Sequence, residues 1–301
     1  MLTLLHLSDL HFGPPYLPRV GEALLEAVHS LAPDIIVVSG DFTQRAKPVQ
    51  FAEAAAFLER LPKVPLVVTP GNHDVALFRV WERIFSPFDL YRKYISPELD
   101  TVLRRDDAVI VALNSTSPLR AVTNGRIGRR QLDFCAEAFS TAPEGAARIV
   151  VAHHHFAPAP DYEGEQVMPK GKRALDRFAE LGVDLILGGH LHRAYIGNSL
   201  DVYPGKNRDY GIIIVQAGTA TSRRGRARER EKNSFNVVRL GDEVIRITQC
   251  MFFDDARGFA PVARHVYPRP ARRYFSDRLG LAAEQDGARR GEDLGALGER
   301  S

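Results

Sequence analysis

Carboxylate, amide and imidazole side chains gather in five short stretches of this chain: Asp9-Leu10-His11, Gly40-Asp41, Gly71-Asn72-His73-Asp74, His153-His154-His155 and Gly189-His190-Leu191-His192. Seven of the ten histidines fall within them, and each stretch follows an apolar run. Carboxylates next to divalent cations give up their protons readily, and one carboxylate can bridge two ions. A neutral Asn oxygen suits a position where another anion would repel a phosphate. Imidazole nitrogen is the donor that transition metals prefer over magnesium or calcium. Together they form the donor set of a two-metal hydrolytic centre. No cysteine lies in any stretch, which argues against a thiolate structural zinc site.

Such residues converge only if the elements before them are parallel neighbours. Leu2–Leu7 reads as a buried strand, followed by Val20, Leu24, Val28 and Leu31 at helical spacing. Strands are expected over Asp34–Ser39, Pro65–Thr69, Ala108–Leu113, Arg148–Ala152 and Asp184–Leu187. Helices are expected from Pro48, as a first helical residue, through Leu61, and around Leu132–Phe139 and Leu175–Leu181. This alternation is that of an α/β fold with right-handed crossovers. In an open α/β sheet, ligands bind beyond the carboxyl ends of the strands, where the five stretches fall. Gly211–Val215, Phe235–Leu240 and Val244–Gln249 predict later strands, the last two joined by a turn at Gly241-Asp242. They are expected to form a second, partly antiparallel sheet.

The chain has 301 residues, 45% hydrophobic, with a formal net charge of +3. That supports one substantial core, expected as a single domain over residues 1–275 with a disordered tail over 276–301. The near-neutral balance does not mark a dedicated nucleic-acid binder. Cys135 and Cys250 sit in apolar patterns, as buried thiols of a reduced, cytoplasmic protein do. No apolar run is long enough for a transmembrane segment, and Asp9 and His11 interrupt the N-terminal one before a signal peptide could form. His6, His29 and His265 are expected to be ordinary packing or surface histidines. Phe78, Trp81, Phe85, Phe88, Tyr91 and Tyr94 read as core. The basic run Arg223, Arg224, Arg226, Arg228 and Arg230 reads as a solvated loop, with anion or nucleic-acid contact the sharper alternative.

Asp-x-His, Gly-Asp, Gly-Asn-His-Asp, a strand-end histidine and Gly-His-x-His, in that order, resemble the calcineurin-like metallophosphoesterases. The resemblance spans Leu2 to about His192, and reaches about Phe253 if the later strands form the family's second sheet. It implies two packed mixed β-sheets flanked by helices, a four-layer α/β/β/α sandwich. It also implies two divalent or transition metal ions (manganese, iron or zinc). Asp9, His11 and His192 would hold one ion, Asn72, His190 and a triplet histidine the other, and Asp41 would bridge them. His154 matches the family pattern best, with His153 as runner-up; Phe156 stands where the family often has proline. His155 is expected to face away from the metals. His73 would face the phosphoryl oxygen or leaving group, with Asp74 orienting it. The implied reaction is in-line attack by a metal-bridging hydroxide on a small phosphodiester, of cyclic-nucleotide or glycerophosphodiester type. A nuclease, a hydrolase of UDP-sugar-lipid pyrophosphates and a scaffold without catalysis are the alternatives.

Overall fold

A computed structural model describes residues 1–77, 79–119, 123–158, 167–202, 211–226 and 230–269. The strands are β1 (Leu2–Leu7), β2 (Ile35–Val38), β3 (Leu66–Val68), β4 (Thr101–Arg104), β5 (Ala108–Leu113) and β6 (Ala147–Ala152). They continue with β7 (Leu185–Gly188), β8 (Tyr195–Asn198), β9 (Ile213–Gln216), β10 (Ser234–Leu240), β11 (Val244–Phe253) and β12 (Gly258–Pro268). The main helices are α1 (Pro18–Leu31), α2 (Pro48–Glu59), α3 (Val80–Phe85), α4 (Asp89–Tyr94), α5 (Arg129–Ser140) and α6 (Gly171–Glu180).

Side-chain alternation along the strands builds the layers. In β1, Leu2 and Leu4 face one way, into an apolar layer shared with Ile110, Ala112, Ile149 and Val151 of the second sheet. Leu5 and Leu7 face the other way, onto Leu24 and Val28 of α1 and Phe51 of α2. In the second sheet, Val109, Val111 and Val150 pack outward against Leu132, Phe139, Leu175 and Phe178 of α5 and α6. Both faces of these strands are covered, so they read as continuous apolar runs. The result is the expected α/β/β/α sandwich.

The first sheet has the order β12-β11-β10-β1-β2-β3 and the second β4-β5-β6-β7-β9-β8. β1, β2 and β3 are parallel, and so are β5, β6, β7 and β9. Of the three late strands expected there, β9 joins the second sheet, between β7 and β8, but β10 and β11 do not. β10 pairs antiparallel with β1 and extends the first sheet through β11 and β12, while the second sheet opens at β4. The β10–β11 turn also moves by one residue. Gly241 N donates to Val244 O at 2.9 Å, so Asp242-Glu243 form its tip.

Phe88 and Tyr91 are buried as expected, but Trp81 and Phe85 are 76% and 75% exposed and stack on each other. The six-residue α3 buries no side chain, so its helical spacing carries no core information. Phe78, Arg228 and the 276–301 stretch lie outside the described residues. His6 is buried with Nε2 3.0 Å from Ser39 Oγ, whereas His29 and His265 are exposed. Cys135 and Cys250 are buried free thiols. Among the described residues, no helix is long and apolar enough to cross a membrane.

Past β12, Arg269 is buried and reaches Asp184, just before β7, with Nε 3.1 Å from Oδ1 and Nη2 3.3 Å from Oδ2. Asp184 Oδ2 also accepts from Arg148 N at 2.8 Å. The pair ties the end of the first sheet to the second. Removing one partner of a buried pair leaves an uncompensated charge. Arg269→Ala is therefore expected to lower the unfolding free energy by about 3–5 kcal/mol in urea titration.

Candidate metal centre

β1, β2 and β3 deliver Asp9, Asp41 and Asn72 to one edge of the first sheet, and β6 and β7 deliver the histidine triplet and His190/His192 from the second. The backbone then reverses sharply. Asp9, His11, Asp41, His190 and His192 have φ of 55°, 52°, 55°, 75° and 53°, a left-handed region that non-glycine residues rarely enter. Such residues cost of order 1–3 kcal/mol each unless their surroundings hold them. Here they do. Asp9 N and His11 N donate to Gly40 O and Asp41 O at 3.0 Å. Thr219 Oγ1 donates to Asp9 O at 2.7 Å, and Thr221 Oγ1 donates to Leu10 O at 2.8 Å. The Thr219–Thr221 buttress carries no motif of its own that the sequence could show.

Two groups of donors result. The ligand atoms of Asp9, His11, Asp41 and His192 lie within 4.8 Å of one another, and those of His153, His154 and His190 do likewise. His192 Nε2 is 3.1 Å from Asp9 Oδ1 and 2.9 Å from His11 Nε2. Asn72 Oδ1 lies 2.9 Å from His190 Nδ1 and 3.2 Å from His153 Nε2. Between the groups, Asp41 Oδ2 is 3.7 Å from His11 Nε2 and 3.4 Å from His153 Nε2. Each carboxylate has one oxygen anchored by backbone: Asp9 Oδ2 accepts from His190 N at 3.0 Å and Asp41 Oδ1 from His73 N at 2.8 Å. Asp9 Oδ1 and Asp41 Oδ2 are buried without a hydrogen bond of good geometry, and so is His154 Nε2.

The charges fit the same picture. Burial opposes ionisation of Asp9 and Asp41, but the imidazoles outweigh it: chiefly His192 and His11 for Asp9, and His153, His73 and His11 for Asp41. Both carboxyls fall well below their ordinary range. Burial also disfavours the His153 cation, yet Asp41 overrides it and pushes the imidazole up to about 9. Burial lowers His11 to about 4 and drives His154 and His190 well down. Two buried carboxylates face imidazoles of which His11, His154 and His190 are driven toward their neutral form and His153 alone is held as a cation, so the centre calls for further positive charge, and unpaired inward oxygens call for a partner. Divalent cations meet both needs, so the residues present fit a metal centre.

All three triplet side chains turn toward this region. His153 Nδ1 contacts Ser39 O at 2.8 Å, leaving Nε2 on Asn72 and Asp41. His154 Nδ1 contacts Ser115 Oγ at 2.8 Å, and its ring lies 4.6 Å from that of His190. His155 does not face away. It stacks on His190 at 5.7 Å and lines a cavity of about 340 Å³ with Asn72, His73, His192 and Arg224. β6 ends at Ala152, so strand alternation no longer governs the three histidines.

His73 lines the same cavity, but Asp74 does not orient it. His73 Nδ1 contacts Gln44 O at 2.9 Å, so Gln44 orients the ring. Asp74 instead gathers the backbone amides of Phe42, Thr43 and Gly71 at 3.2, 2.9 and 2.9 Å. It reaches His73 only through Thr43 Oγ1, which contacts Asp74 Oδ1 and donates to His73 O. Burial and the Asp41 charge push the Asp74 carboxyl up to about 7 against those amides. The basic run is not uniformly solvated. Arg223 and Arg230 are exposed, but Arg224 is half-buried, donates to Gln44 Oε1 at 3.0 Å and lines the cavity together with Arg226.

The sequence profile described as calcineurin-like phosphoesterase matches residues 2–194, which include every one of these motifs. The chain belongs to the calcineurin-like phosphoesterase family. It is thus a phosphoric ester hydrolase, of a family whose members use divalent metal ions. This phosphoesterase is 31% identical over 243 residues to a cAMP/cGMP dual specificity phosphodiesterase, MT0825, of Mycobacterium tuberculosis, covering 72% of this chain and 71% of that one. It is 30% identical over 205 residues to a probable cyclic nucleotide phosphodiesterase of Rhodococcus erythropolis, covering 63% and 64%. Among solved structures, PhoD superposes with a TM-score of 0.67 at 12% identity, covering 90% of this chain and 70% of PhoD. The purple acid phosphatase PPD1 of yellow lupin gives 0.63 at 14%, covering 89% of this chain and 54% of its own. These two likenesses concern the fold.

The glycines of the motifs have a steric role in this phosphoesterase. A Cβ on Gly71 would overlap Asp41 Oδ1 and the Asp41 backbone nitrogen, and one on Gly40, at φ 102°, would sit 2.6 Å from His153 Nδ1. Gly71→Ala must therefore displace Asp41 while leaving both sheets intact. Its kcat/KM on a bis-nitrophenyl diester is expected to fall about 100-fold, the scale of an ångström-sized misplacement. Manganese uptake by elemental analysis should fall with it, with an unchanged far-UV circular dichroism spectrum.

Proposed function

We propose that this phosphoesterase is a two-metal phosphodiesterase, carried by a single domain over residues 1–275, that cleaves a small phosphodiester of cyclic-nucleotide or glycerophosphodiester type. The observation behind the reading is Asp41 Oδ2, which stands between the two donor groups, 3.7 Å from His11 Nε2 and 3.4 Å from His153 Nε2. In this reading Asp9, His11 and His192 would hold one ion, Asn72, His190 and His153 the other, and Asp41 would serve both. His153 is favoured over His154 because a carbonyl partner on Nδ1 fixes the tautomer that offers the Nε2 lone pair, the usual support of a ligating histidine. Manganese, iron and zinc all suit the donors. Bound there, divalent ions would supply Lewis acidity and bring the pKa of water toward neutrality.

The chain's own groups handle orientation and the proton. Gln44 O can only accept, so His73 carries a hydrogen on Nδ1 and its Nε2 is the exchangeable position. A proton held at Nε2 passes to the leaving oxygen, a contribution of roughly 10²–10⁴-fold where general acid catalysis applies. Arg224, fixed by Gln44 Oε1, keeps further guanidinium donors for phosphoryl oxygens. Gln44 thus sets both groups, one through its carbonyl and one through its amide. Asp74 holds the loops on which Asp41 and His73 ride.

One activity panel with manganese tests the reading: cyclic AMP, a glycerophosphodiester, a bis-nitrophenyl diester and its monoester, UDP-diacylglucosamine and single-stranded DNA. Preferred turnover of a small diester is expected, and preference for the lipid pyrophosphate or DNA would overturn the substrate class. His73→Ala should keep its metal yet lose about 100-fold or more in kcat on diesters with poor leaving groups, and far less on the nitrophenyl ester. His153→Ala should lose one equivalent of manganese and His154→Ala none, read by metal stoichiometry.

A further inference from the structure

A second concave site lies on the outer face of the first sheet, at the other end from the metal centre. In the β1–β10 register Arg239 stands opposite Thr3, at the start of β1, whereas Asp9 lies beyond its end. Arg239 is directly opposite Arg246 of β11, and Arg264 of β12 is opposite Thr248, one diagonal step away. Like charges directly opposite, roughly 5 Å apart at Cβ, are destabilising. Among the described residues, none of the three arginines makes an ion pair or hydrogen bond to relieve it. They line a cavity of about 440 Å³ that has no carboxylate in its wall, and Leu31, Val237 and Cys250 give it an apolar surface. Arg239, Arg264 and Cys250 all line this one cavity.

We propose that this groove binds the polyphosphate group of a small molecule. Guanidinium forks match phosphate oxygens bidentately, and three of them facing one cavity supply the charge a polyphosphate needs. The cavity lies within the roughly 300–1,000 Å³ usual for small-molecule sites, and its apolar wall suits the remainder of such a ligand. The site is separate from the metal centre and does not depend on the reaction assigned there.

Inorganic tripolyphosphate titrated into the manganese-loaded protein, followed by calorimetry, tests the proposal. The wild type should show a binding event that weakens about tenfold or more in Arg239→Gln/Arg246→Gln, while turnover of a bis-nitrophenyl diester stays unchanged. Arg246→Gln alone, at an exposed strand position, should raise the thermal midpoint without tripolyphosphate and shrink the rise tripolyphosphate produces. It also serves as the second variant if the double one folds poorly. Equal affinity and stoichiometry in wild type and variants would overturn the proposal, since tripolyphosphate would then be bound at the metal centre alone. Loss of single-stranded DNA binding in the variants, with tripolyphosphate unaffected, would overturn it too and assign the groove to nucleic acid.

Discussion

Two buried carboxylates, Asp9 and Asp41, are held ionised, and the rest of the structure answers to that constraint. Isolated buried carboxylates would take up protons. Here four imidazoles and two backbone amides, those of His73 and His190, keep them charged. The amides can approach only because glycine stands before Asp41, Asn72 and His190. The left-handed turns at five donor residues are the geometric cost, offset by the Thr219–Thr221 hydroxyls and by hydrogen bonds between the loops. Local rules are broken here, at the strand ends, while the strands beneath obey them closely.

That contrast explains what the sequence disclosed. The strands that aim the donors were legible because both their faces are buried, which writes long β-branched runs. Of the four edge strands only β3 was legible: β12 is mostly exposed and contains Pro261, so it carries no apolar period, and the β4 and β8 stretches are short. Sheet membership was also hidden, since nothing in Phe235–Leu240 says that its partner is Leu2–Leu7 at the far end of the chain.

Within the site, residue types were legible and orientations were not. The five stretches announced which side chains gather. The triplet is ambiguous for a local reason: it lies past Ala152, where the strand has ended, so no regular period in the sequence fixes which way His155 points. Asp74 was paired with its neighbour His73, although its three amide partners come from two loops. Gln44 has no motif to flag it, and the basic run marks Arg224 without separating it from its neighbours, because its place in the site arises from the contact with Gln44, 180 residues away.

Each proposed ion would draw ligands from both sheets: Asp9 and His11 from the first with His192 from the second, and Asn72 from the first with His153 and His190 from the second. The apolar layer between the sheets, including Leu4, Ile110, Ile149 and Val151, thereby acts as a calliper. Its thickness sets the gap across which the donors close. A change of one methylene deep in that layer, far from any polar group, becomes a change in the jaw opening of the metal centre.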